Sequence, residues 1–428
     1  MPLSLSFPVP LLLLLLFSGL CPTLSAIVVS IKSVTTIAKT DDNFVCATMD
    51  WWPPDKCNYG ICPWGNSSIL NLDQVSYKVG DSVHACPDFK INKRGLFGFT
   101  KGCLPMQRWD ELNKLFKSTG SIITFGLNAL AGRSKSNSSG NLYEGQWDPT
   151  NARDFIKYTL SKNYTIESWE LGDFHGNVIR FLSASGATLS HPSAFVFCFL
   201  VYPLGNELSG SGVSASVEAV QYGKDMIVLK NVINDLYGQS KQHPKLLAPG
   251  GFFDEKWFAD MLQTSGPGVI DAATHHIYNL GPGNDKDLIR KIQDPYYLDQ
   301  VAQTFNDALI TVGEFGPWSS PWIGESGGAY NSGGKSVSNA FVDGFCFTSA
   351  NEQAQHGERE EYHLTAQGGD LRSSEMLLNG KLLKLTPSFE IPPMEPSIAS
   401  AGAPLRIAPL SIAFVRFKDF KAPACAGN

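Results

Sequence analysis

The sequence predicts an α/β fold, with a parallel barrel-type sheet whose strands are separated by helices, followed by a distinct β-rich module. Three observations lead there. Apolar runs of strand length alternate with amphipathic helical stretches from Met106 to about Gly324. Several of these runs end in acidic or aromatic residues followed by Gly-rich turns, which is where an α/β barrel keeps its reactive groups. After Glu360 the pattern changes to short strands separated by Gly, Pro and Asn.

In chain order, Ile27 to Thr36 alternates as a strand, and Phe44 to Met49 is a second, buried one that ends at Asp50-Trp51-Trp52. From Met106 to Thr119 the residues Trp109, Leu112, Leu115 and Phe116 share one helical face, and Ile122 to Leu127 follows as a strand. A helix near Asn151 to Ser161 leads into the strand Ile166 to Glu170. Met226, Leu229, Ile233 and Leu236 recur with helical spacing, marking a long helix that starts near Ser214. Strands are predicted at Lys245 to Pro249, Ile270 to His276 and Trp322 to Gly324, with a helix over Asp254 to Thr264. That makes six barrel-type strands. A closed barrel takes about eight, so two units are missing. In the last stretch Glu361 to Thr365, Glu375 to Leu378, Lys381 to Leu385 and Ser411 to Phe417 are short strands, and Pro387 to Pro404 reads as a Pro-rich linker.

Composition narrows the partners. The net charge is −6, with no long basic run, so the electrostatic footprint of a nucleic-acid binder is absent and no nucleic-acid partner is expected. The apolar run Leu11 to Leu16 and the small residues up to Ala26 read as a secretory signal peptide, 1–26, and no later run is long enough to span a membrane. The nine Cys fit an oxidising compartment, with Cys57 and Cys62, and Cys86 and Cys103, near enough in sequence for local staples. No Cys/His cluster has zinc spacing, so disulfides are expected rather than a metal, and no cofactor. Sequons at Asn66, Asn137 and Asn163 agree with a secretory route.

The candidate chemistry rests on carboxylates. Ser168-Trp169-Glu170-Leu171-Gly172 and Asn206-Glu207-Leu208-Ser209-Gly210-Ser211-Gly212 read as one motif pulled apart by Asp173 to Gly205. Joined, they form a strand running into Asn-Glu and a Gly/Ser loop, which can hold a carboxyl in a cleft as a general acid. Retaining cleavage of a glycosidic bond needs a second carboxyl about 5–5.5 Å away, from another strand end. Glu325, in Trp322-Ile323-Gly324-Glu325-Ser326-Gly327-Gly328, has that build. Glu314 is its rival, because it too ends an apolar run, Leu309 to Val312. His275 and His276 sit at another strand end and face opposite ways, so at most one can orient a carboxylate. A serine hydrolase is disfavoured, since Ser209-Gly210-Ser211-Gly212 lacks the Gly before the first Ser of a nucleophile elbow.

These residues resemble the plant heparanase-like proteins of glycoside hydrolase family 79. The likeness runs through Ala47 to Gly60, Gly95 to Phe99, Gly102 to Met106, Thr124 to Leu130, the split Trp169…Glu207 motif, Thr274 to Gly281, Glu325 to Gly334, Glu360 to Leu364 and Phe420 to Cys425. The resemblance implies a (β/α)8 barrel plus an accessory β-sandwich, and retaining hydrolysis of β-glucuronides with Glu207 as acid/base and Glu325 as nucleophile. It implies that Asn206 meets the sugar 2-OH, Asp50 the ring, and Ala329-Tyr330-Asn331 the uronate carboxylate. Asn128, His275, His276 and Tyr278 join the substrate-binding set, and Glu314 is demoted. The implied partner is a glucuronic acid-bearing polysaccharide or glycoconjugate. The implied setting is secreted or vacuole-like, at the periphery of a membrane or wall.

The chain departs from the family pattern in three places. A helix and the second barrel strand are absent between Asp73 and Gln74, Asp173 to Gly205 is extra and reads as translated non-coding sequence, and the eighth strand is skipped after Phe345. An aberrant splice would explain all three. The expected organisation is a signal at 1–26, a sandwich strand at 27–43, a barrel at 44–347 with the insert 173–205, and a truncated β-sandwich at 348–428. The competing expectation is a splice product that only binds carbohydrate or does not fold, because missing strands expose unpaired sheet edges.

Overall fold

The computed structural model describes residue 57 and residues 106–120, 122–137, 140–172, 207–213, 215–238, 243–331, 333–347, 358–387, 392–400 and 402–417. The signal, the strands expected at 27–36 and 44–49, the insert 173–205, Asp50, Asn66 and Asn206 lie outside them. Cys57 is disulfide-bonded.

The first element is α1 (Met106–Thr119), which the spacing of Trp109, Leu112 and Phe116 predicts and whose apolar face is buried. It is followed by β1 (Thr124–Leu127), a small hairpin of β2 (Ser134–Lys135) and β3 (Tyr143–Glu144), α2 (Thr150–Ser161) and β4 (Ser168–Leu171). An aromatic cluster ties these together. Trp109 meets Phe125 at 4.8 Å between ring centroids and Phe155 at 4.9 Å, and Trp169 meets Phe125 edge-on at 5.9 Å. The buried Trp109 indole donates to Thr159 Oγ1 at 2.9 Å, so burying its polar end leaves no orphan donor.

Next come α3 (Ala219–Tyr237), β5 (Lys245–Phe252), α4 (Glu255–Ser265) and β6 (Ala272–Tyr278). Short helices α5 (Leu288–Lys291) and α6 (Pro295–Leu298) precede α7 (Val301–Phe315) and β7 (Ser320–Gly327). The strands form one sheet in the order β1-β4-β5-β6-β7, and every pair is parallel. The α/β class and the parallel sheet hold; among the described residues the sheet has five strands and is not a closed barrel. β1 and β4 are buried throughout, as parallel strands covered on both faces are, whereas β7 at the end of the sheet is largely exposed apart from Gly324 and Glu325.

Two expectations are corrected. The long helix begins at Ala219, not near Ser214, because Val217 is held in an extended loop: its N–H donates to Leu208 O at 3.2 Å and its carbonyl accepts from the Trp257 indole at 2.9 Å. The apolar run Leu309 to Val312 belongs to α7, whose inward face carries Ala308, Thr311 and Val312. Glu314 therefore lies on a helix and is exposed, which removes it as a rival carboxylate.

The C-terminal module begins after a 3-10 helix, Phe341–Phe347. Its strands are β8 (Glu358–Ala366), β9 (Met376–Leu378), β10 (Lys381–Leu382), β11 (Ser397–Ser400) and β12 (Ile412–Phe417). β8 is the long central strand and pairs antiparallel with β9, β11 and β12. β11 arises inside the stretch read as a Pro-rich linker, because antiparallel pairing with β8 supplies the backbone partners its sequence does not advertise. One antiparallel sheet is described, against which Phe341 and Phe345 pack beside Leu364, Ala366, Met376 and Ile412.

Candidate active site

The residues on either side of the insert meet. Gly172 ends β4 with a φ of +92°, and a side chain there would come within 3.4 Å of Leu208 Cδ1 and 3.2 Å of the Tyr222 hydroxyl, so glycine is what lets Leu208 close in. Tyr222 in turn donates to the Leu171 carbonyl. The loop carrying Glu207 is seated on the end of β5. Ser209 Oγ donates to Phe252 O at 2.7 Å, and a Cβ on Gly251 would reach 3.0 Å from the Glu207 Cα. Glu207 itself adopts a left-handed φ of 48°, an uncommon backbone for a residue with a side chain, kept by Val213 N–H donating to its carbonyl at 3.1 Å.

That seating brings three groups together. His276, at the end of β6, has its Nδ1 2.9 Å from Glu207 Oε1 and 3.7 Å from Glu325 Oε2. Tyr278 donates its hydroxyl to Glu325 Oε2 at 2.6 Å. One oxygen from each glutamate and a His276 nitrogen all lie within 4.8 Å of one another. Glu207, His276 and Glu325 are all buried. Among the described residues, Glu325 Oε1 carries no hydrogen bond.

The electrostatics follow from burial and proximity. Burial pushes the Glu325 carboxyl above its ordinary value, and the His276 charge and Tyr278 hydroxyl pull it back only in part. Burial also disfavours a charged His276, but the carboxylates of Glu325, Glu207 and Glu170 outweigh it and raise this group to about 9. The result is an imidazolium beside Glu207 and Glu325, whose charge offsets part of the cost of holding two acids in a dry pocket. The spacing would also suit a cation; His276 Nδ1 is here hydrogen-bonded to Glu207.

The remaining predicted residues divide. His275 faces the helix side of β6, edge-on to Phe253 and Phe305 at 6.2 and 5.8 Å, and is apart from the carboxylates. Burial, with His276 beside it, drives His275 down to about 4, so it is a neutral core residue. This is the alternation expected of adjacent strand residues, and it removes His275 from the substrate-facing set. Asn128 is half-buried at the end of β1, its Oδ1 accepting from Leu130 N–H at 2.8 Å. The turn Ala329-Tyr330-Asn331 is stitched to the end of β6, with Tyr330 N–H donating to Gly281 O at 3.1 Å and Gly283 N–H to Tyr330 O at 3.1 Å. Ala329 sits in a small core with Leu280 and Leu288, while Tyr330 is exposed. Asn137 and Asn163 are exposed. Sequence reasoning missed Glu170 as a site group. Its one signal was an acid inside an otherwise apolar strand.

The N-terminal domain of glycosyl hydrolase family 79 matches residues 26–76, 72–188 and 194–350. The chain belongs to glycosyl hydrolase family 79. This family 79 chain is 37% identical to heparanase-like protein 1 of Arabidopsis thaliana, covering 92% of this chain and 94% of that protein. It is 37% identical to heparanase-like protein 2 of the same plant, over 91% and 93% of the two chains. It is 27% identical to the baicalin-beta-D-glucuronidase of Scutellaria baicalensis, over 89% and 90%. The first alignment runs over 545 positions, more than the 428 residues of the chain, so the relative carries segments that fall opposite gaps here. The family match breaks between 188 and 194, inside the insert. Among the described residues no helix is long and apolar enough to cross a membrane.

Proposed function

We propose that this protein is a retaining β-glucuronidase that cleaves glucuronic acid linkages in polysaccharides or glycoconjugates. The observation that carries the reading is the placing of one Glu207 and one Glu325 oxygen within 4.8 Å of each other in a buried pocket. Retaining enzymes hold their two carboxyls about 5–5.5 Å apart, and inverting ones about 6.5–9.5 Å to admit a water. In this reading Tyr278 holds Glu325 Oε2 and leaves Oε1 to attack the anomeric carbon. Glu207 protonates the departing glycosidic oxygen, then deprotonates the water that releases the sugar from Glu325, so the anomeric configuration is kept. Asn206 bonds the 2-OH, Asp50 the ring, and the 329–331 turn the uronate. The baicalin glucuronidase among the relatives supports the choice of sugar.

A chain that merely binds carbohydrate is the rival. Against it, the residues flanking the insert come together and both carboxylates share one pocket with His276. The setting we propose is the secretory route, with substrate met at the wall or membrane surface.

The test is hydrolysis of an aryl β-glucuronide by the purified protein and by Glu325→Ala, with the anomer of the first-formed product read by NMR. We expect β-glucuronic acid first from the wild type and a rate loss of at least about 10³-fold in the variant. Equal rates in the two proteins would overturn the assignment, and an α first product would overturn the retaining mechanism.

A further inference from the structure

A third buried carboxyl lies near the two that meet His276. Glu170 is fully buried on β4 and its Oε1 accepts from the Thr274 hydroxyl on β6, reaching across β5. Thr274 lies two residues before His276 and so on the same face of β6. Its Oγ1 also accepts from Gly250 N–H at 3.0 Å, so its one proton is committed to Glu170. Among the described residues, the buried polar atoms left without a partner here are His276 Nε2 and two carboxyl oxygens, Glu170 Oε2 and Glu325 Oε1, of which Glu325 Oε1 is the one the reaction uses. A Cβ on Gly324 would lie 3.1 Å from that Nε2 and 3.6 Å from the Thr274 Cβ, so Nε2 and the threonine that anchors Glu170 flank the same small residue.

Such orphaned groups are rare in folded proteins, and each asks for a use. Nδ1 of His276 is spent on Glu207. A doubly protonated ring must also place Nε2–H, and Glu170, held by Thr274 on the same face of β6, has one carboxyl oxygen unspent.

We propose that Glu170 is a positioning residue of the reaction: through His276 Nε2 it holds the imidazole doubly protonated and locked between Glu207 and Glu325. The groups around that ring are Glu207 from the loop after the insert, Glu325 from β7, Glu170 from β4, and His275 and Tyr278 from β6 itself. Glu170 adds negative charge without touching the scissile bond. The charge favours the imidazolium, and the imidazolium pulls the Glu325 carboxyl back against the burial that raises it. The inference rests on the glycosidase reading for its catalytic meaning, though its physical content does not need turnover.

The experiment is a pH titration of His276 by NMR in full-length protein labelled at histidine 13Cε1, with the resonance assigned by its loss in His276→Gln. Wild type is expected to stay protonated beyond pH 8, and Glu170→Gln to lower the midpoint by about one pH unit or more. The alkaline limb of kcat should move down with it while KM changes little. A folded Glu170→Gln whose His276 titrates like wild type overturns the proposal. If that variant does not fold, Thr274→Val, which frees the Glu170 side chain, decides in the same way: a lowered midpoint supports the proposal and an unchanged one overturns it. A protein inactive on every glucuronide but with a lowered His276 midpoint in Glu170→Gln would keep this proposal and discard the substrate reading.

Discussion

At the residue scale, the site is an arrangement of charges that burial makes costly and proximity makes tolerable. His276 is raised to about 9, above the ordinary histidine value expected in the unfolded chain. A group raised in the folded state adds stability that is complete below its unfolded pKa and is lost as pH rises through the folded one. We therefore expect the melting temperature to fall between about pH 6.5 and pH 9, and the gap between wild type and His276→Gln to narrow over the same range, as thermal scans would show. Asp343 has the same sign for a different reason, since burial alone pushes its carboxyl up to about 6. Its preference for the protonated form is satisfied only in acid, so Asp343→Asn is predicted to raise the melting temperature at pH 7 by a few degrees and to do little at pH 4.

At the element scale, glycines on strand ends hold the reactive loop in place. A side chain at Gly251 would meet the Ser209 hydroxyl at 2.6 Å and the Glu207 Cα at 3.0 Å, both parts of the loop that carries the acid. Gly251→Ala should push that loop off β5, leaving far-UV circular dichroism unchanged while kcat falls by roughly 10²-fold, as a displacement of about 1 Å can do. Core residues behave otherwise. Trp109→Ala removes the hub that joins α1, β1 and α2, and is expected to cost about 3–5 kcal/mol in denaturant unfolding without a selective effect on turnover. Helices and strands with a strong apolar period were legible, as α1 and β4 illustrate. α7 was not, because only its inward residues Ala308, Thr311 and Val312 are buried and the outward Leu309 and Ile310 gave a continuous run that resembles a strand. β11 was hidden by prolines around it and exists through its pairing with β8.

At the scale of the whole molecule, the insert is the question. A side chain at Gly172 would come within 3.4 Å of Leu208 Cδ1, so the residues on either side of the insert lie close together. Removing 173–205 should therefore leave the sheet intact and raise the melting temperature, because a shorter loop costs less entropy to close. Turnover by the shortened chain should match or exceed that of the full one, measured on the same aryl glucuronide. A loss of fold would mean that the extra segment is a structural part after all. The sequence by itself determined the α/β class, the parallel sheet and the candidacy of Glu207 and Glu325, since these follow from periodicity and from residue types at strand ends, and its resemblance to known motifs pointed to the family. Only the tertiary structure decided that Glu314 faces solvent from a helix, that His275 turns away while His276 lies between Glu207 and Glu325, and that Glu170 is tied through Thr274 to the strand that carries His276. The reason is physical. A chain's local pattern records which face of an element is buried, whereas a pocket is made by side chains from β4, β6, β7 and a distant loop, whose meeting depends on strand order and register.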